Sequence, residues 1–165
     1  MKERKYLFNW NHISNKLSNE QVDELKSYYV TYHKKCWAFK KALKQFKKLK
    51  LVGNSLSVIF ASGGLAASIA TGGVALVAIS TAAVLIQGWM KHKNLDLKIQ
   101  QCEYAFQTYQ HLMNSIKNMF RSGECDLYLL QITMTQTDDF ITDNSPIIDK
   151  FLMEYNKHFT PEVYK

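Results

Sequence analysis

Eight lysines, Lys34, Lys35, Lys40, Lys41, Lys44, Lys47, Lys48 and Lys50, fall within seventeen residues that contain no acid. An ammonium is a compact, strongly hydrated point charge, so such a cluster does electrostatic work on phosphate-bearing surfaces. Beside an anionic leaflet each cation contributes about 1 kcal/mol. Lys91 and Lys93 form a second, smaller group. The other reactive residue types are scattered. His12, His33, His92, His111 and His158 include no i,i+4 pair beside an acid, the arrangement a metal-binding helix needs. Cys36, Cys102 and Cys125 are an odd number at unrelated spacings, and no spacing supplies the base that a thiol nucleophile requires. They read as packing thiols in a reducing compartment. Asp138, Asp139 and Asp143 fall near a helix end and a turn, where capping or solvation is the expected role. Gly63-Gly64 and Gly72-Gly73 are not followed by the Lys and Ser/Thr of a phosphate-binding loop. The expectation is a non-enzymatic protein with no catalytic residue, metal or cofactor.

The lysines border a long uncharged run. Residues 51–90 contain no Lys, Arg, Asp, Glu or His, and one bilayer crossing takes roughly 20 apolar residues. Thr71, Gly72 and Gly73 lie at the middle of the run and predict a turn there. The run therefore predicts a membrane-inserted helical hairpin with tip 51–90. The lysines from Lys34 to Lys50, with Lys91, Lys93 and the interfacial ring of Trp89, are the expected headgroup contacts. Trp37 lies further out and is expected to pack. Lysines at both borders place both termini on the cytoplasmic side. Residues 1–17 lack an apolar stretch of signal length, so no cleavable signal peptide is expected. The second arm, Val74 to Trp89, rises about 24 Å, slightly less than a full crossing, and serines recur throughout the run. Both features fit shallow or conditional insertion.

Heptad patterning supplies the elements that position these residues. Ser18 with Gln21 makes a capping-box start, and from there Val22, Leu25, Tyr29, Tyr32, Cys36, Phe39, Leu43 and Phe46 alternate steps of three and four. Leu95, Ile99, Cys102, Phe106, Tyr109, Met113, Ile116 and Phe120 repeat the pattern up to the Arg121-Ser122-Gly123 stop. Folding back at 71–73 brings the two stripes to the same level, which predicts an antiparallel coiled coil with continuous arms of about 50 residues, roughly 75 Å each. Carrying the register into the tip selects small residues: Gly53, Ser57, Gly64 and Ala67 on one arm, and Ala78, Thr81 and Gly88 on the other, with Leu85 also on the seam. Close approach through small residues is how helices pair in lipid. Beyond Gly123, one helix is expected in CDLYLLQITMTQTDDFI and another from Pro146, the latter with Ile147, Ile148, Phe151, Leu152 and Tyr155 on one face.

The predicted fold is all-α. It comprises a polar and aromatic arm over 1–17, a long helical hairpin over 18–122, and a helical pair over 124–165 on the hairpin base, forming a three- to four-helix bundle. Residues 1–50 carry thirteen Lys/Arg against four acids, and residues 91–165 carry eight against ten. The overall charge of +7 is thus concentrated beside the apolar run, which fits anionic headgroups. No nucleic-acid motif accompanies it, and nucleic acid is not an expected partner.

Two resemblances accompany these patterns. The basic segment from Tyr28 to Leu51, the Gly-rich apolar pair and the helix from Lys98 to Ile116 together resemble small hairpin membrane proteins of Polinton-like elements and related DNA viruses of animals. Ser55 to Ser80 is similar in its Gly/Ala/Ser content to the membrane-inserting region of apolipoprotein-L-like and α-helical pore-forming proteins. Both resemblances imply membrane insertion, and the first implies a viral or mobile-element origin. Neither assigns a catalytic residue. Three functional expectations result: a membrane-anchored hairpin whose coiled coil binds a protein partner or a second copy; a pore-forming effector that inserts residues 51–90; and an oligomeric structural or capsid-associated protein that buries its apolar hairpin.

Overall fold

The computed structural model describes residues 13–71, 74–140 and 146–159, with side chains over 13–60, 62, 78–140 and 147–159. Five helices follow in order: α1 (Asn19–Thr71), α2 (Val74–His92), α3 (Leu95–Ser122), α4 (Leu127–Phe140) and α5 (Pro146–His158). Among the described residues there is no strand, and the fold is all-α. The chain divides into two compact units. Unit 1 comprises Met1–Ala42 and Gln101–Lys165, and unit 2 comprises Leu43–Gln100.

Unit 1 is a four-helix arrangement with the α1 segment touching the other three. The capping box closes reciprocally: Ser18 N donates to Gln21 Oε1 at 3.0 Å, and Gln21 N donates to Ser18 Oγ at 3.2 Å. Leu25, Tyr29, Tyr32, Cys36 and Phe39 of the first stripe are buried, as are Cys102, Tyr109, Ile116 and Phe120 of the second. The rings of Tyr32 and Tyr109 lie 5.9 Å apart, and Cys36 Sγ contacts Phe106 O at 3.9 Å, so α1 and α3 run antiparallel in the expected register. Ala38, Ala42 and Ala105 are fully buried.

At the far end of α3, Gly123 sits at φ 77° and its N–H donates to Met119 O at 2.9 Å, the left-handed stop that glycine supplies without strain. Ser14 N donates to Phe120 O at 2.7 Å, which ties the polar arm to this same end. Asp126 opens α4 by accepting from Leu129 N at 2.9 Å. Pro146 is the first residue of α5, as its missing N–H favours. Ser145, Thr142 and Asp143 lie outside the described residues, as do Gly72 and Gly73.

In unit 2 the second arm departs from expectation. It is not one continuous helix: α2 ends at His92 and α3 begins at Leu95. Asn94 adopts φ 49°, a left-handed conformation that Asn tolerates better than other non-glycine residues. Its N–H donates to Lys91 O at 3.0 Å and its carbonyl accepts from Lys98 N at 3.0 Å, so this one residue closes α2 and opens α3.

The small-residue seam also needs correcting. Gly53 and Ser57 are buried, but Ala78, Thr81, Leu85 and Gly88 are exposed. No neighbouring atom lies within 4 Å of the place where a Cβ would stand on Gly88, whereas at Gly53 that place is filled by Met90 Sδ. A period of 3.5 drifts against a straight helix by about 20° per heptad, so extrapolating it through the apolar run picks the wrong residue at this contact. Gly64, Ala67 and Thr71 belong to α1, and their side chains are outside the described set.

Candidate functional site

Two features stand out, one in each unit. In unit 1 a polar cluster is assembled across three helices. Tyr109 on α3 donates its hydroxyl to Asp138 Oδ1 on α4 at 2.5 Å. Lys35 on α1 pairs with Asp138 Oδ2, lies 3.4 Å from the Tyr109 hydroxyl, and sits 5.4 Å above the centre of that ring. Phe39 stacks on the same residue, its ring 5.9 Å from that of Tyr109. One turn away, Tyr32 donates to Leu130 O at 2.9 Å.

Burial raises the Tyr109 hydroxyl well above its ordinary pKa, and the hydrogen bond to Asp138 adds to the shift. Burial raises Tyr32 as well. Both phenols therefore remain protonated donors at neutral pH. A cleft of about 360 Å³ opens beside this cluster, lined by Lys35, Phe39, Asp138, Asp139, Ile148 and Leu152 among others. Its charged groups of both signs lie beside one another. Asp138 is thus more than a solvated or capping residue: it is the shared acceptor that joins α4 to α1 and α3.

A second constellation joins α1 to α5. His33 Nδ1 lies 2.7 Å from the Tyr155 hydroxyl, and the His33 ring meets Phe159 edge-on at 5.1 Å. Trp37 packs against Phe151, Tyr155, His158 and Phe159 with centroids 5.5–6.2 Å apart. Burial lowers the His33 pKa to about 4, with Lys117 acting in the same sense, so the ring is neutral at physiological pH. Burial also pushes the Cys36 thiol up to about 11 against the pull of Lys40, and raises Cys125 above its ordinary value. These are protonated packing thiols. Among the described residues no group of three or more His, Cys, Asp or Glu is placed to hold a metal ion.

The lysine cluster is divided between the units. In unit 1, Lys34 is half-buried and Lys35 is held by Asp138. Lys40 and Lys41 are exposed, but each lies over a ring, Lys40 5.8 Å from Phe106 and Lys41 5.3 Å from Trp37. In unit 2, Lys44, Lys47, Lys48, Lys91 and Lys93 are exposed, while Lys50 pairs with Asp96 at 2.6 Å.

Beside these unit 2 lysines lies the other feature, an exposed apolar face. Leu51, Val52, Val58 and Ile59 of α1 and Val84, Leu85 and Trp89 of α2 are 47–69% exposed. Ser57 and Ser62 return their hydroxyls to the carbonyls of Gly53 and Val58, at 3.0 and 2.8 Å, so they present satisfied rather than open polar groups. Among the described residues no helix is long and apolar enough to cross a membrane.

The apolar face and its lysine border were visible in the sequence. The Tyr109–Asp138–Lys35 cluster was not, because its members stand 29 and 103 residues apart and no local spacing marks them. Asn94 was missed too, although an Asn between two basic residues and a new heptad phase is a helix-stop signal. No family model, curated protein or solved structure matches this chain.

Proposed function

We propose that this chain is a non-enzymatic membrane-binding protein whose unit 2 inserts its helical tip into an anionic bilayer, while unit 1 remains in water. The observation that carries this reading is the concentration of exposed large apolar side chains on both helices of unit 2. Exposed apolar surface of this kind marks a membrane or protein contact. Three further features agree with lipid. Exposed lysines border the face, Trp89 stands at its edge where interfacial rings are favoured, and the serine hydroxyls are returned to their own helix. Unit 1 buries Tyr29, Tyr32, Phe39, Tyr109, Phe120 and Tyr155 and supplies a helical body that can present a partner surface. The same features serve a viral or mobile-element hairpin protein, the origin that the resemblance of the sequence implies.

Flotation of the purified protein with vesicles tests the reading. Vesicles containing anionic lipid should carry the protein to the top of a gradient, and zwitterionic vesicles should carry less of it. Membranes from expressing cells should keep the protein through an alkaline carbonate wash. A protein that stays monodisperse in detergent-free buffer and ignores both kinds of vesicle would end the proposal. Release of an entrapped dye from the anionic vesicles would instead favour a pore-forming effector.

A further inference from the structure

The break between α2 and α3 opens a cleft of about 330 Å³ within unit 2. Lys50 and Lys91 line it, as do the amides of Asn54, Gln87 and Asn94. Met90 and Leu95, both buried, and Leu97 are the apolar part of its lining. Leu95, Asp96 and Leu97 belong to the first turn of α3 and also line the cleft. The opening N–H groups of a helix have no partner within it, and the helix dipole places partial positive charge at that end. One acid is present: Asp96 Oδ1 accepts from Lys50 at 2.6 Å, with both side chains substantially exposed.

We infer that this cleft binds a phosphate monoester, with Lys50 and Lys91 neutralising its charge, the side-chain amides donating to its oxygens, and Asp96 acting as the internal acid that the phosphate displaces from Lys50. The argument rests on the combination. Two cations and three amides that can donate line the same recess, which is of the size that small ligands occupy. The existing Lys50–Asp96 pair is an exposed ion pair, and such pairs are weak enough to be exchanged for a doubly charged group. A diester carrying choline would bring a third cation toward Lys50 and Lys91, so a terminal phosphate is the better fit. That phosphate is either the headgroup of phosphatidic acid or a soluble phosphate. The lipid source rests on the membrane-binding reading above, and the soluble source does not.

The test has two arms. In the first, vesicles containing phosphatidic acid are compared with vesicles containing phosphatidylglycerol at matched surface potential. The natural chain should prefer phosphatidic acid, and K50A/K91A should lose that preference and bind phosphatidic acid about 30-fold more weakly. K44A/K48A should weaken binding to both lipids while keeping the ratio between them. D96N should strengthen binding to phosphatidic acid, a gain that a misfolded variant cannot give. In the second arm, inorganic phosphate is titrated into the 15N-labelled protein. The amides of Asn94 to Leu97 should shift in the natural chain and remain still in K50A/K91A.

A positive result in either arm that depends on Lys50 and Lys91 supports the site, and the arm that responds names the source. Absence of lipid preference together with absence of amide shifts overturns it. Binding of inorganic phosphate by a chain that ignores every anionic vesicle would leave this site standing and overturn the membrane reading instead.

Discussion

Units 1 and 2 draw on the same helix α1 and follow opposite rules about what lies inside. Unit 1 has a core of large residues: Leu25, Tyr32, Tyr109, Ile116, Phe120 and Leu130 are at most 1% exposed. Its buried hydroxyls are also paired, Tyr32 to a carbonyl and Tyr109 to a carboxylate. In unit 2 the close contact is made by Gly53 and Met90, and valines, leucines and isoleucines face outward. Burying one large apolar side chain contributes about 1.5–3 kcal/mol in water, so unit 1 gains more from solvent exclusion than the described part of unit 2, which buries Phe46, Met90 and Leu95. The lesson is that one helix can serve two solvents. The segment in unit 1 packs a filled aromatic core, and the segment in unit 2 makes its close contact through Gly53 and turns large apolar side chains outward.

The largest test of this contrast is truncation. Phe120→Ala should cost about 3–5 kcal/mol in urea denaturation, because it empties a filled site in unit 1. Val58→Ser on the exposed face of unit 2 should stay within about 0.5 kcal/mol in water while reducing flotation with anionic vesicles. Equal losses of stability would break the contrast. Tyr109→Phe comes next. It leaves Asp138 without its phenol donor, and a loss of about 1–3 kcal/mol is expected, read as a fall in the urea midpoint.

Gly123→Ala should follow at about 1–2 kcal/mol, since its left-handed backbone disfavours a side chain. A Cβ there would also stand 2.6 Å from Ser14 Oγ and 2.7 Å from Lys16 Cβ. The effect should appear as a lowered melting temperature with helix content retained. The smallest effect at neutral pH concerns His33. Its folded pKa of about 4 lies below the ordinary value of 6.5, so between these values the unfolded chain binds a proton that the folded chain refuses. The stability from its neutral burial is fully present above about pH 6.5 and is lost as the pH falls toward 4. The urea midpoint should decline across that window, and His33→Gln should flatten the decline. An unchanged slope would remove His33 as its source.

Much of unit 1 was legible before any coordinates. The heptad steps from Leu25 to Phe39 and from Cys102 to Phe120 identify the buried face, because a buried stripe on a helix must recur at that period. The reciprocal Ser18–Gln21 bonds, the glycine stop at Gly123 and the opening of α5 at Pro146 follow from local backbone chemistry. The apolar run and its lysine border were equally plain. The failures have a common origin. Gly88 was assigned to the seam by extending a 3.5 period beyond the stretch where paired heptads enforce it, and the packed contact fell to Met90. The Lys35–Asp138 and Lys50–Asp96 ion pairs are likewise not announced by the sequence, because neither acid is near its lysine in the chain.

The sequence by itself determined which segments are helical, where the caps and stops fall, which stripe is buried in unit 1, and that residues 51–90 carry no charge. These are properties of local backbone chemistry and periodic patterning, and they need no knowledge of distant neighbours. Tertiary structure alone decided that Tyr109, Asp138 and Lys35 meet and that Met90 rather than Gly88 fills the space at Gly53. Each of these depends on the rotational phase and axial offset of one helix against another. Side-chain volume at the contact sets those quantities, and a one-dimensional pattern does not encode them.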